Sequence, residues 1–249
     1  MLYKLLNQIS ARINSLDVKR EVPYMLRQIN NARPDFYQYL TQNAPNKKFA
    51  DIVVNAVAHG ILATIKEIPS IVNEMVSRLK NRSTNPSLRC ALAGVLVYLV
   101  QPRDLIPDDA PGGYGFVDDN AIVRAGLIEY LNLLPKSSKD VEAERQRIQF
   151  VARIIPLQIV PSLQLAIDGM HITLQMLRLL PGPMLELTLQ QMINSPLQLP
   201  AIQQPAGFTP SPGPNIGDGH WSGGAYFEGN NVIISGGPSL IDGELFIPD

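Results

Sequence analysis

Apolar residues recur at helical spacing along most of the first 195 residues, and one run is stronger than the others. Its steps alternate between four and three, which is typical of a helical seam packed closely against another helix. Packing within the chain is expected, because neighbouring helices are available. Pro69 falls inside the run and lacks a backbone N–H, so we expect a kink or a break there. The seam consists of Val54, Ala58, Ile61, Ile65, Ile68, Val72, Met75 and Leu79.

The first segment carries a similar stripe with basic residues beside it. A helix of this kind either docks on the core as an end helix or lies on a membrane surface. Docking on the core is the expected arrangement, since any surface helix shows this pattern. The apolar positions are Leu2, Leu6, Ile9, Ile13 and Leu16.

Start and stop signals divide the rest of this region into further helices. Asn85-Pro86 combines a capping side chain with proline at the first helical position. The predicted helices span about 23–31, with resumption after Pro34, and about 86–101, 118–134, 138–155, 157–180 and 184–194. The fold class is therefore all-α, an irregular helical bundle over residues 1–195.

The composition changes abruptly at Pro196. The last 54 residues hold 10 of the 18 glycines and 8 of the 21 prolines, and they contain no lysine or arginine. Such a segment cannot bury a core of its own, yet short apolar clusters recur in it. We predict an extended Gly/Pro-rich arm over 196–249 that docks on a partner or along the bundle. The residues expected to make these contacts are Trp221, Tyr226, Phe227, Ile233 and Phe246.

One stretch is distinctive in residue order. Tyr98 to Asp108 reads Tyr-Leu-Val-Gln-Pro-Arg-Asp-Leu-Ile-Pro-Asp, and after a glycine-rich link comes Gly115-Phe-Val-Asp-Asp119. This resembles the YkvA-like domain of unknown function, over about residues 86–134. The resemblance implies two apolar helices joined as a hairpin, and it implies no established activity. The chain departs from the family at 109–113, Asn120 and Arg124, where family members usually carry apolar residues.

Elementary chemistry gives this motif a structural role. Pro102 cannot continue a helix as an interior residue, and Pro107 stiffens the link. Gly112, Gly113 and Gly115 permit backbone angles closed to other residues. Asp118 is a candidate N-cap, and Asp119 then lies in the first turn, where the helix dipole favours an anion.

The same corner suggests a second interpretation, because several carboxylates are crowded there. Oxygen ligands of this kind suit Mg²⁺ or Ca²⁺, although the spacing does not fit an EF-hand. Turn and cap bonds explain most of these residues without a metal. The candidate ligands are Asp104, Asp108, Asp118 and Asp119.

Other chemistry is sparse in the sequence. No phosphate loop, zinc-protease motif or paired-cysteine zinc site occurs. Asp168 and His171 share a helix face, and a surface hydrogen bond is the expected arrangement. Cys90 lies in an apolar stretch and is expected to be buried. Its solitary occurrence fits a reducing, cytoplasmic compartment.

Charge restricts the partners. The net charge is −1, which provides no overall attraction to nucleic acid, and only 17% of residues are charged, which favours protein or membrane contacts. We expect a non-catalytic scaffold or adaptor that docks through the arm or self-associates. One alternative is a peripheral membrane protein using the first helix, the hairpin and a basic turn around Arg78–Arg89. The other is a metal-dependent hydrolase using the aspartate corner.

Overall fold

A computed structural model describes residues 1–101, 105–132 and 138–198, together with the backbone of 224–228 and 231–235. Within these ranges the chain is predominantly helical, which confirms the predicted fold class. The helices are α1 (Leu2–Ser15), α2 (Val18–Ala32), α3 (Pro34–Gln42), α4 (Lys47–Lys80), α5 (Pro86–Tyr98), α6 (Val117–Leu131), α7 (Ser138–Ala152), α8 (Val160–Leu177) and α9 (Gly182–Asn194). Short 3₁₀ turns span Pro111–Phe116 and Pro196–Gln198.

Helix α4 is the centre of the bundle. It is one continuous helix of 34 residues with Pro69 inside it, so of the two alternatives at Pro69 the break is wrong and the kink stays a prediction. Every residue of the predicted seam is buried, none more than 3% exposed. Helices α1, α2, α3, α5 and α6 all pack against α4, so the seam pairs within the chain as expected.

Side chains at the helix starts explain several boundaries. Asn46 caps α4 by accepting a hydrogen bond from the N–H of Phe49 at 3.0 Å. Asn85 accepts from the N–H of Ser87 at 2.9 Å, with Pro86 at the first helical position, as predicted. Helix α2 begins at Val18 rather than near Pro23, because Asp17 caps it five residues earlier than the proline signal indicated.

The hairpin helices lie in the interior. Helix α5 contacts α4, α6, α8 and α9. Every residue of α6 from Val117 to Tyr130 is buried. At Gly126 an added Cβ would lie 2.6 Å from a Val95 methyl carbon, so this glycine sets the close approach of α5 and α6. Because α6 is buried on all sides, any polar side chain on it needs a hydrogen-bond partner within the protein.

The described parts of the C-terminal arm are two strands. Strand β1 (Gly224–Glu228) pairs antiparallel with β2 (Asn231–Ser235), and Tyr226 is opposite Ile233. The rest of the predicted arm after Gln198 lies outside the described residues, and the boundary between domains at 195 stays a prediction.

Candidate functional site

The link between α5 and α6 forms a tightly packed corner. Gly112 and Gly113 have φ values of +76° and +73°, in the left-handed region that favours glycine. A Cβ at Gly112 would lie 2.4 Å from the backbone nitrogen of Met25 on α2. A Cβ at Gly115 would lie 2.5 Å from the carbonyl oxygen of Pro107. The corner therefore needs glycine for backbone contact as well as for backbone angle.

Asp118 stabilises this corner by hydrogen bonds from a buried position. Helix α6 begins at Val117 with Phe116 as its N-cap, so the prediction of Asp118 as N-cap is wrong by two positions. The Asp118 carboxylate instead accepts hydrogen bonds from the N–H groups of Leu105 at 3.1 Å and Ile106 at 3.3 Å. Burial raises the pKa of Asp118 to about 6, although these N–H groups oppose the rise.

The predicted metal ligands lie in unlike environments. Asp108 is at the rim, where its carboxylate is 2.6 Å from the guanidinium of Arg12. That guanidinium also lies over the ring of Phe116, 5.1 Å from its centroid. Asp118 and Asp119 are buried. Among the described residues no three histidine, cysteine or acidic side chains are grouped to hold a metal.

Two of the motif positions named from the sequence cannot be placed. Asp104 and Pro102 lie outside the described residues, so the metal interpretation stays a prediction. Pro107 and Gly115 are placed and meet at the close contact described above.

A buried polar cluster next to the corner was not predicted. Arg124 on α6 is fully buried, and its guanidinium donates to Asn120 Oδ1 at 2.8 Å and Glu144 Oε2 at 2.5 Å. It also donates to the carbonyl oxygen of Thr64 at 3.0 Å and to Glu67 Oε2 at 2.6 Å. The arginine thus joins α6 to both α4 and α7. Its signal in the sequence was the i, i+4 pair Asn120 and Arg124, at positions where the family usually has apolar residues.

The histidine and cysteine sites have structural partners. His171 Nδ1 lies 2.6 Å from Glu129 Oε1 on α6, whereas Asp168 accepts a hydrogen bond from Gln164. The expected bond between Asp168 and His171 is therefore replaced by a contact between helices. Cys90 is buried as predicted, its thiol lies 3.1 Å from the Leu185 carbonyl oxygen, and burial raises the pKa of the thiol to about 11.

The arm residues named from the sequence are placed only in part. Tyr226, Phe227 and Ile233 lie in the paired strands. Trp221 and Phe246 lie outside the described residues.

The apolar faces of the helices suggested for membrane contact are packed inside the bundle. The apolar stripe of α1 is buried, as expected for an end helix docked on the core. Helices α5 and α6 are interior. Among the described helices, α4 is long and apolar enough to cross a membrane by length and composition, but half of its most apolar window is buried in the bundle. A core helix passes the same test, so this is weak support for a membrane span.

Comparison with known proteins agrees with the hairpin. No curated protein and no solved structure matches the chain significantly. Residues 88–124 match a family model described as a protein of unknown function (DUF1232), to which YkvA-like domains belong, so this segment is similar to the family that its sequence suggested.

Proposed function

We propose that this protein is a non-catalytic adaptor, with the helical bundle as a rigid body and the C-terminal arm as its docking element. One observation carries the proposal: the paired aspartates of the family-like corner are buried in the fold. Asp118 is fully buried and Asp119 is 1% exposed. A carboxylate that fastens a backbone link is not accessible to a substrate in solution.

The geometry of the arm supports the docking role. A two-stranded ribbon is marginally stable in water, so it gains from packing on a surface or from a further strand. An outer edge of a two-stranded ribbon can add an extended segment of a partner by main-chain hydrogen bonds. Tyr226 and Ile233 are partners in the register of the two strands, and an aromatic residue opposite a β-branched residue is a combination that favours strand pairing.

The test uses the full-length chain as bait in native cells. Tyr226→Ser with Ile233→Ser removes the opposed apolar pair, and Ile52→Ser, at an exposed position on α4, is the matched control. We expect the wild type and the control to crosslink to the same defined protein and the arm variant to lose it. The purified protein should then bind the wild type, and not the arm variant, in solution. Equal capture by all three chains would refute docking through the arm.

A further inference from the structure

The turn between α8 and α9 presents large apolar side chains to solvent. Leu179 is 85% exposed and Leu187 is 72% exposed. Such a degree of exposure means that these side chains protrude from the surface and do not line a groove. Exposed apolar patches of this kind mark interaction sites. We name this set the apolar tip: Met176, Leu179, Met184 and Leu187.

The turn between α4 and α5 lies at the same end of the molecule. Arg89 joins the two turns, because its Nε donates to the carbonyl oxygen of Leu79 at 2.9 Å and its Nη1 lies 3.3 Å from Glu186 Oε2. Ser87 Oγ donates to the carbonyl oxygen of Leu177 at 3.3 Å. The end of α8 and the start of α9 are thereby held beside the first turn of α5.

The described turns between α4 and α5 and between α8 and α9 carry an excess of positive charge. Glu74, in the last part of α4, pairs with Arg78 at 3.8 Å, and Glu186, the acidic residue of α9, pairs with Arg89. The first turn of α1 lies beside them, because Lys80 Nζ is 4.7 Å from the centroid of the Tyr3 ring. The other charges of these segments and of that turn are basic and exposed. We name them the basic rim: Lys4, Lys80, Arg82 and Arg178.

We propose that the apolar tip and the basic rim form one docking surface for an anionic phospholipid bilayer. The tip would enter the boundary between headgroups and acyl chains, and the rim would meet the headgroup phosphates. A protruding tip suits insertion into a bilayer, whereas a groove would suit a peptide. A symmetric contact with a second copy would bring two positive rims together, which is unfavourable.

The first test is flotation of the full chain with vesicles. Wild type should float with phosphatidylcholine vesicles that contain phosphatidylglycerol and not with phosphatidylcholine alone. Leu179→Ser with Leu187→Ser should lower binding about tenfold or more, from the lost apolar burial. Arg82→Glu with Arg178→Glu should lower it by more than about tenfold, since each basic residue near an anionic surface contributes about fivefold.

Two matched controls distinguish lipid binding by this end of the molecule from non-specific lipid binding by the rest of its surface. Ile52→Ser removes an exposed apolar side chain elsewhere, and Arg20→Glu reverses an exposed charge at the start of α2. Both should float like wild type. Absence of wild-type flotation, or equal loss in the controls, overturns the proposal.

A second measurement places the tip directly. The chain has one tryptophan, so Trp221→Phe with Leu179→Trp gives a single reporter at the tip. Its emission should shift to the blue with anionic vesicles and be quenched by lipids brominated on the acyl chains. If the emission of the reporter is already blue-shifted without lipid and is not quenched when brominated lipid is added, the arm or a second copy covers the tip. That result, or a tip variant that only changes the oligomeric state, overturns the proposal.

Discussion

Replacing Arg124 by methionine should be among the most destabilising single substitutions in this chain. The change keeps most of the side-chain length but removes four donated hydrogen bonds. Glu144 is then left buried with Arg147 as its remaining basic partner. Removal of one member of a buried ion pair costs about 3–5 kcal/mol. The bond to Glu67 adds little, because that carboxylate is 48% exposed and solvent screens it.

The expected loss is therefore about 4 kcal/mol, a large fraction of the roughly 5–15 kcal/mol that stabilises a typical domain. Urea denaturation followed by far-UV circular dichroism measures it. The double variant Arg124→Met, Glu144→Gln should lose less than the sum of the two single variants, with a coupling of about 2 kcal/mol, because no buried charge is then left unpaired. Glu67→Gln, the half-exposed control, should cost less than about 1 kcal/mol. Additive single effects, or a cost below about 1 kcal/mol for Arg124→Met, would refute the reasoning.

Three further predictions follow from the corner and from α5. Gly112→Ala should destabilise by about 3 kcal/mol in urea denaturation, because the left-handed angle and the contact with Met25 both exclude a Cβ; Gly94→Ala, where a Cβ meets nothing within 4 Å, should instead stabilise by about 0.5–1 kcal/mol. The pKa of Asp118 is raised in the folded state to about 6, so between about pH 4 and 6 the folded chain keeps a proton that the unfolded chain releases. The unfolding free energy of the wild type relative to Asp118→Asn should therefore fall by up to about 3 kcal/mol as the pH rises from about 4 to 6. A difference between the two proteins that does not change with pH would contradict this. Cys90 should react with a thiol reagent only after denaturation, because burial raises the pKa of its thiol to about 11; fast labelling of the native chain would show that the site opens.

The apolar pattern predicted most of the fold. The seam of α4 was predicted residue by residue, because a 3.6-residue period identifies a buried stripe without knowledge of its partner. The helix starting at Pro86 was predicted from the cap and the proline together. At Pro69 the helix does not break, because packing on the surrounding helices stabilises a continuous α4 despite one missing hydrogen bond.

The polar interior was harder to predict. The sequence shows Asp118 beside a glycine-rich link, but an aspartate that caps a helix, one that binds a metal and one that fastens a backbone segment have the same local pattern. Arg124 was visible as a departure from the family, yet its partners Glu67 on α4 and Glu144 on α7 are 57 and 20 positions away. Contacts at such separations depend on tertiary packing and leave no periodic signal.

The central position of α4 has a consequence for the order of folding during synthesis. Helices α1, α2 and α3 precede α4 in the chain, and each packs its buried face against it. A ribosome therefore releases the first 46 residues before the surface that covers them exists. Those helices should stay exposed to chaperones until α4, a rod about 51 Å long, has cleared the exit tunnel. A stall in translation within α4 should therefore leave the buried faces of α1, α2 and α3 uncovered and prone to aggregation.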